Sequence, residues 1–576
     1  MVDFLPWWER YPGRLEHELT ALQSLGITAK EDPAARASGI IEWLFEVPGE
    51  YTGQGPVQLV VTFPEFYPFL RPDVTAPDLD MAHHQHPFGK NLCLIGRASA
   101  SWDTGNDLAW LIREQLQKAL DLGASHQRGG DEEDQGEPFS DYYNYQPNAM
   151  ALLDSAWSPP AGTSGGSVVL KLSGRMPLEQ GALTHFVIDS VADDGGKQLF
   201  NMPPAIAFQY KDAPPWKARW THIPEPVRAA EAEKIWASIE ALDKPFVGQS
   251  ANGIDFALRL VSFPEEHSQT TTGTGWILLI QQFGRVKNKR TKSGHPARQV
   301  PQRAPSTFQL VRSGRVGLED MRARLESTSS TFSRKVLLLG AGAIGSVIAD
   351  QLARSGIDEL TVIDHDVLEP GNLVRHASNL QYVGGFKSGA ACALANQVNP
   401  YLHATAHVFV VGGRSSDSSQ RELLSREFDK ADVVIDATAE VGVQRLSASL
   451  AQQAKKPWIG VWATNGAVGG TVLNIPAGAP WCFSCFEWTR AETPSLKPPA
   501  SAAPLTQPIG CAEPTFVGAG YNLNEVSIHA ARTAMAVLDG KPCNDVAVLS
   551  MNHPSGAELP QWEASSLTKH EKCLHN

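Results

Sequence analysis

The sequence predicts a multidomain chain of mixed α/β and α+β class: a compact α+β unit over residues 1–125, a linker region of unassigned fold over 126–330, and a doubly wound α/β unit over 331–576. Three observations carry that expectation. At 576 residues the chain exceeds what one hydrophobic core supports, because cores stop growing near ~250–300 residues. The apolar run Lys335–Leu339 leads directly into Gly340-Ala-Gly342-Ala-Ile-Gly345 and then a helical pattern, the order of a strand-loop-helix nucleotide unit. A stretch dense in Gly, Asp and Glu, from Gln127 to Glu137, reads as a solvated linker that closes off the amino-terminal unit.

The first unit opens with a helical pattern from Leu15 to Leu25, passes through strand-like segments such as Val57–Phe63, and returns to a helix from Leu108 to Leu120. In the middle region strands are expected at Ser167 to Leu172 and Trp276 to Gln281, with a helix from Ala229 to Leu242. No chemical motif stands out there, and the polar, proline-containing stretch from Gly294 to Ser306 reads as an exposed connection. In the last unit a second strand, Leu360 to Ile363, follows the glycine loop and its helix. Apolar runs at Val433 to Ile435 and Trp458 to Val461 continue the sheet.

Composition narrows the function. With 42% hydrophobic and 19% charged residues the chain is ordinary globular protein. A formal charge of -13 without a long basic run argues against nucleic-acid binding; Arg285 to Lys292, the basic exception, lacks an aromatic platform and reads as a solvated loop. Asp3, Pro6, Glu9 and Arg10 do not make a secretory signal, and no apolar run approaches the roughly 20 residues of a membrane helix. The expectation is a cytoplasmic protein with no membrane partner. Seven cysteines in a reducing compartment point to thiol chemistry or metal binding rather than disulfides.

Gly340, Gly342 and Gly345 would allow a tight turn, close backbone approach to phosphate, and close packing of helix on strand. Asp364, at the end of the second strand, can accept hydrogen bonds from a ribose, which suits NAD as well as ATP. The continuation separates the two: Asp364-His-Asp366, then Asn372-Leu-Val-Arg375, then Lys387 within Gly384-Gly-Phe-Lys387. This order resembles the ubiquitin-activating and sulfur-carrier-activating adenylyltransferases of the ThiF type. The resemblance implies that Asn372, Arg375 and Lys387 contact ATP phosphates and that Asp436, in Asp436-Ala-Thr-Ala-Glu440, supports Mg2+. Many relatives carry further polar residues after that aspartate, where this chain has Ala437 and Ala439.

The family also implies an acyl-accepting cysteine after the nucleotide motifs. Cys511, in Ile509-Gly-Cys-Ala-Glu-Pro514 ahead of a helical pattern from Glu525 to Leu538, is the candidate; a buried, inert thiol is the alternative. Cys392, in an Ala-rich helical pattern, reads as packing. At the other end, Tyr51-Thr-Gly53, Phe63-Pro-Glu-Phe-Tyr67-Pro68, Pro72, His86-Pro87, Asn91-Leu-Cys93 and Trp102 follow the order of a ubiquitin-conjugating domain, which would place the thioester on Cys93. That family has asparagine after His-Pro, where this chain has Phe88. Asn91 is the candidate replacement, and His86 reads as structural.

Cys482-Phe-Ser-Cys485 has metal-ligand spacing, and His570-Glu-Lys-Cys573 could close a four-ligand Zn2+ site; unrelated surface thiols are the alternative. Cys543 has no evident partner. Together the two ends resemble the fused activating and conjugating enzymes of bacterial CBASS antiviral operons. That resemblance implies a homodimer that adenylates the carboxy-terminus of a CD-NTase, relays it from Cys511 to Cys93, and joins it to an acceptor amine on a protein or small molecule. Competing readings are a related bacterial ubiquitin-like conjugation system, a sulfur-carrier activator, and a non-enzymatic adaptor.

Overall fold

A computed structural model describes residues 5–95, 102–124, 136–154, 157–173, 176–178, 181–243, 249–251, 254–268, 271–284, 304–325, 333–413, 418–506, 517–552 and 558–574. The chain divides into two compact units, Met1–Pro203 with Tyr210–Gly317, and Pro204–Gln209 with Leu318–Asn576.

After the single turn Trp7–Arg10, the first unit carries its first long helix, Pro12–Ser24, and an antiparallel sheet of Lys30–Glu31, Ile41–Val47, Val57–Phe63 and Asp73–Thr75, ordered as in the chain. Val57, Leu59, Val61 and Phe63 are buried while the residues between them face outward, the two-residue period of a half-buried strand. Glu18 lies fully buried in the first long helix. Its charge is compensated by Arg14 at 2.8 Å and by the Leu108 N–H at 2.9 Å, which ties the helix starting at Leu108 to the helix Pro12–Ser24.

Strands lying between residues 149 and 315 form a second sheet for which the sequence offered no fold. Pro215–His222 pairs antiparallel with Gly165–Leu172 and parallel with Ile254–Ser268. Gly181–Asp193, Ala149–Leu153, Ala304–Arg315 and Thr271–Gly284 complete the circuit, so these strands close a ring. Closure pairs edges that would otherwise be open to other chains. Arg259 is fully buried in this unit. Asp243 neutralises it at 3.1 Å, and the Trp236 ring lies 5.4 Å from its guanidinium carbon.

Two boundary expectations are corrected. Ala304 to Ser306, read as the end of an exposed connection, begins the strand Ala304–Arg315. Glu137, read as the end of a solvated linker, is held by a side chain from the middle sheet. The remainder of that linker up to residue 135, and the basic run Arg285 to Lys292, lie outside the described residues.

The second unit is a doubly wound α/β sheet. His403–His407, Glu359–Ile363, Lys335–Leu339, Val433–Asp436 and Trp458–Ala463 run parallel in that spatial order, and Gly469–Ile475, Val546–Asn552 and Glu558–Ser565 extend the sheet antiparallel. Successive residues of Lys335–Leu339 serve opposite faces. Val336 and Leu338 join the core under the helices Ala343–Arg354, Lys387–Val398 and Gly520–Leu538, whereas Leu337 and Leu339 join the core under Ser418–Lys430, Val441–Gln453 and Phe483–Glu492. Strand order reverses on either side of Lys335–Leu339, which leaves a crevice at the strands' carboxyl ends. Among the described residues no helix is long and apolar enough to cross a membrane.

Candidate active site

The crevice is a cleft of about 970 Å³. Gly340, Gly342, Asp364, Asn372, Arg375 and Lys387 all line it, so residues spread over nearly fifty positions meet at one site. The three glycines have separate jobs. Gly340 turns the chain at φ +84°, and a Cβ there would meet the backbone of Ala437 and Thr438 at 2.9 Å. Gly342 caps the helix Ala343–Arg354 and faces open space, so the helix amino-terminus is presented to the cleft. Gly345 lies outside the cleft lining, and a Cβ on it would come within 2.0 Å of the Gly340 carbonyl oxygen.

The carboxylate of Asp364 accepts hydrogen bonds from the N–H groups of Ala341 and Asp366, at 2.6 and 2.8 Å, which locks the glycine loop to the second strand. Lys387, at the start of its helix, reaches Asp366 at 2.9 Å. Asn372 accepts the Glu369 N–H at 3.0 Å through its Oδ1 and so caps the short turn that carries it into the lining. His376 was not singled out in the sequence. It is buried beside Arg375, with Nε2 on the Ala341 carbonyl at 2.8 Å and Nδ1 accepting the Ser378 N–H at 3.0 Å, and burial lowers its pKa. A neutral ring therefore fastens the Arg375 segment to the glycine loop. Only its place next to Arg375 could have signalled this.

Asp436 ends the strand Val433–Asp436. It is fully buried and does not line the cleft. Its oxygens accept from the Thr438 N–H at 3.0 Å, the Thr438 hydroxyl at 2.6 Å and the Ser447 hydroxyl at 2.6 Å, and burial raises its pKa. Held in this way, Asp436 shapes the loop from behind. The exposed carboxylate that this loop turns into the cleft is Glu440, just after the left-handed Ala439 (φ 59°).

Cys511 lies outside the described residues. The chain on either side of it is described: Thr506 before it, and Val517 and Gly518 after it, all line the cleft. Cys392 is buried in the helix Lys387–Val398, where burial pushes its thiol up to about 12, so it packs and does not react.

Cys93 is exposed, at the end of a turn whose backbone is closely held. Its N–H donates to the His84 carbonyl at 2.7 Å, and the His86 N–H donates to the Asn91 carbonyl at 2.8 Å. His86 Nδ1 accepts the N–H groups of Phe88 and Gly89, at 3.2 and 2.9 Å, and burial lowers its pKa; a neutral, turn-stabilising ring results. Phe88 packs edge-on against Phe139 at 5.9 Å and near Tyr143 at 6.3 Å. A position that the conjugating family gives to asparagine is here an apolar contact. Asn91 lays its Oδ1 over Gly89, within 2.6 Å of where a Cβ would sit.

Residues 319–573 match the ThiF family. Residues 28–152 match the prokaryotic E2 family B. The chain is therefore an activating and conjugating enzyme, with a ThiF domain and an E2-like domain in one polypeptide. Over 98% of its length it is 28% identical to the uncharacterized protein y4oA of Sinorhizobium fredii, 97% of which is covered. A 184-residue alignment is 32% identical to the ATP-dependent ubiquitin transferase-like protein Cap2 of Enterobacter hormaechei, covering 32% of this chain and 29% of that protein. Among solved structures, E. coli MccB with ATP aligns at a TM-score of 0.32 and 16% identity over 42% of this chain and 67% of that one.

At the far end of the ThiF region Cys482, Cys485 and Cys573 converge. Their sulfurs are 3.9 Å apart for Cys482 and Cys485 and 3.5 Å apart for Cys482 and Cys573. Tetrahedral zinc with Zn–S bonds of about 2.3 Å requires sulfurs about 3.8 Å apart, so this thiol set fits the ion. The His570 ring is engaged elsewhere, with Nε2 on Glu492 at 3.2 Å, Nδ1 accepting the Lys572 N–H at 3.1 Å and its plane stacked on Trp488, while the His570 backbone hydrogen-bonds Cys485. Among the described residues, rotation of that ring would supply a fourth ligand. Cys543, half-buried, faces the Thr533 carbonyl at 3.9 Å.

Proposed function

We propose that the enzyme adenylates the carboxy-terminus of another protein, carries it as a thioester on Cys511 and then on Cys93, and joins it to an acceptor amine. The observation that carries this reading is the cleft lining: Gly340, Asp364, Asn372, Arg375 and Lys387 meet at one site, and Thr506 and Val517, which lie before and after Cys511 in sequence, line it too. The substrate carboxylate attacks the α-phosphorus of ATP and pyrophosphate departs. Arg375, Lys387 and the amino-terminus of the helix Ala343–Arg354 offset the charge that develops. Asn372 orients the phosphates and Asp364 the ribose. Mg2+ would neutralise phosphate charge, with Glu440 and Asp366 as the carboxylates facing it.

The Cys511 thiolate then attacks the acyl carbon and AMP leaves. Exchange onto the Cys93 thiolate frees Cys511, and attack by the amine forms an amide, frees Cys93 and gives a proton to solvent. The resemblance of the two ends to the CBASS enzymes supports a CD-NTase carboxy-terminus as substrate, in antiphage defence, by a cytoplasmic homodimer, and the Cap2 likeness supports the ubiquitin-like transfer itself. The full-length likeness to y4oA, set against a Cap2 likeness confined to 184 aligned residues, favours as second reading a related bacterial ubiquitin-like system with another modifier. Sulfur-carrier activation would leave Cys93 without a role. The site formed by Cys482, Cys485 and Cys573 would hold Zn2+ in a structural role.

The protein is incubated with ATP, Mg2+ and a candidate CD-NTase, and thiol-sensitive adducts are followed in wild type, Cys93→Ala and Cys511→Ala. The relay requires that Cys511→Ala abolish every adduct and Cys93→Ala only the second. ATP-pyrophosphate exchange without any adduct would redirect the search to another carboxylate, and an absence of exchange would reject the adenylation.

A further inference from the structure

We propose that Glu137, which follows the E2-like domain's last helix, is a positioning residue for Cys93; the inference rests on Cys93 carrying the thioester. The Cys93 N–H is held by the His84 carbonyl at 2.7 Å, so the conformation of His84 decides where the Cys93 backbone lies. His84 sits in the left-handed region at φ 58°, which a residue with a side chain keeps only when its surroundings impose it. Glu137 imposes it. Both of its carboxylate oxygens take the His84 N–H, at 3.1 and 3.2 Å, and the His84 ring stands 3.8 Å from the same carboxylate. Charge-assisted bonds of this kind are stronger than neutral ones.

The carboxylate is itself held. The Tyr142 hydroxyl donates to it at 3.1 Å, and the Glu137 N–H donates to Glu266 of the strand Ile254–Ser268 at 3.0 Å. Glu266 also faces His83 at 3.8 Å. Tyr142 places its ring against His86, 5.0 Å between centroids, on the other side of the turn. The turn that ends in Cys93 is thus gripped from outside its own sheet, by a residue anchored to the closed ring of strands. The middle region thereby gains a function, since it supplies the fixed point against which the thioester residue is aimed.

The test uses the full chain with Glu137→Ala and Glu137→Gln. Hydrogen–deuterium exchange is read in peptides spanning 83–95 and, as a control, 41–63. Release of the Cys93 adduct to free lysine is read as kcat and KM. For Glu137→Ala we expect exchange at 83–95 to rise about tenfold with 41–63 unchanged, and kcat to fall about tenfold at constant KM. Glu137→Gln keeps one oxygen acceptor and is expected within about threefold of wild type. Wild-type exchange at 83–95, or a wild-type kcat, in Glu137→Ala would overturn the positioning role. If wild type forms no adduct that Cys93→Ala removes, the relay reading fails and the positioning role with it, while the exchange result still decides whether Glu137 holds the turn.

Discussion

Replacing Gly345 by alanine puts the reading of the nucleotide cleft at risk directly. The added Cβ would stand 2.0 Å from the Gly340 carbonyl oxygen, about 1.4 Å short of ordinary contact, and that oxygen belongs to backbone. The helix Ala343–Arg354 packs on the sheet through Ile348, Ala349 and Leu352, all fully buried, so it has little freedom to retreat. Overpacking of this kind costs about 1–3 kcal/mol, or about 2–4 °C of melting temperature per kcal/mol for a unit of this size. A loop moved by about 1 Å costs about 100-fold in a reaction that depends on phosphate placement. Gly342→Ala is the matched control. Nothing lies within 4 Å of its Cβ, so stability should hold while nucleotide affinity falls, because the new methyl group faces the cleft. Thermal melting and ATP-pyrophosphate exchange report the two quantities. Wild-type exchange and melting in Gly345→Ala would refute the account, as would identical behaviour of the two variants.

Asp436→Asn should leave pyrophosphate exchange within about threefold of wild type, because the side chain supports the loop through hydrogen bonds that an amide can largely keep, whereas Glu440→Ala should raise the Mg2+ concentration needed for half-maximal exchange. A collapse of exchange in Asp436→Asn alone would restore Asp436 to direct contact with the metal. The thiol cluster should hold one zinc per chain by elemental analysis, and Cys573→Ser should lose it together with thermal stability; full zinc content in that variant would remove Cys573 from the site. His529 stacks on Trp562 at 3.9 Å, and burial lowers its pKa to about 4. The unfolded chain therefore binds the proton first, and the contribution present above about pH 6.5 is lost as pH falls towards 4, about 2 kcal/mol of it by pH 5. His529→Phe should lose less stability than wild type between pH 7 and pH 5 in denaturant titrations, and equal losses would contradict the assignment.

The ThiF region was the more legible part of the sequence because its chemistry is written in local order. A glycine loop between a strand and a helix, and an aspartate at the end of the next strand, leave few arrangements, and Asn372, Arg375 and Lys387 line the same cleft. The hydrogen bonds of Asp436 were not legible, because a carboxylate at a strand's end looks the same in sequence whether its oxygens meet a ligand or the hydroxyls of Thr438 and Ser447. The middle sheet was invisible because its unity comes from pairings such as Pro215–His222 with Ile254–Ser268, which no local pattern announces. Phe88 looked like a lost catalytic group. Its partners Phe139 and Tyr143 lie beyond the segment that was read as the domain's end.

Phe88 also limits how this enzyme could be taken apart. A fragment cut at residue 125 would keep the whole four-stranded sheet, yet it would leave Phe88 facing water and discard Glu137 and Tyr142. The match to the prokaryotic E2 family B runs on to residue 152. A swap of conjugating modules between relatives would therefore have to carry the ring of strands along with the cysteine turn.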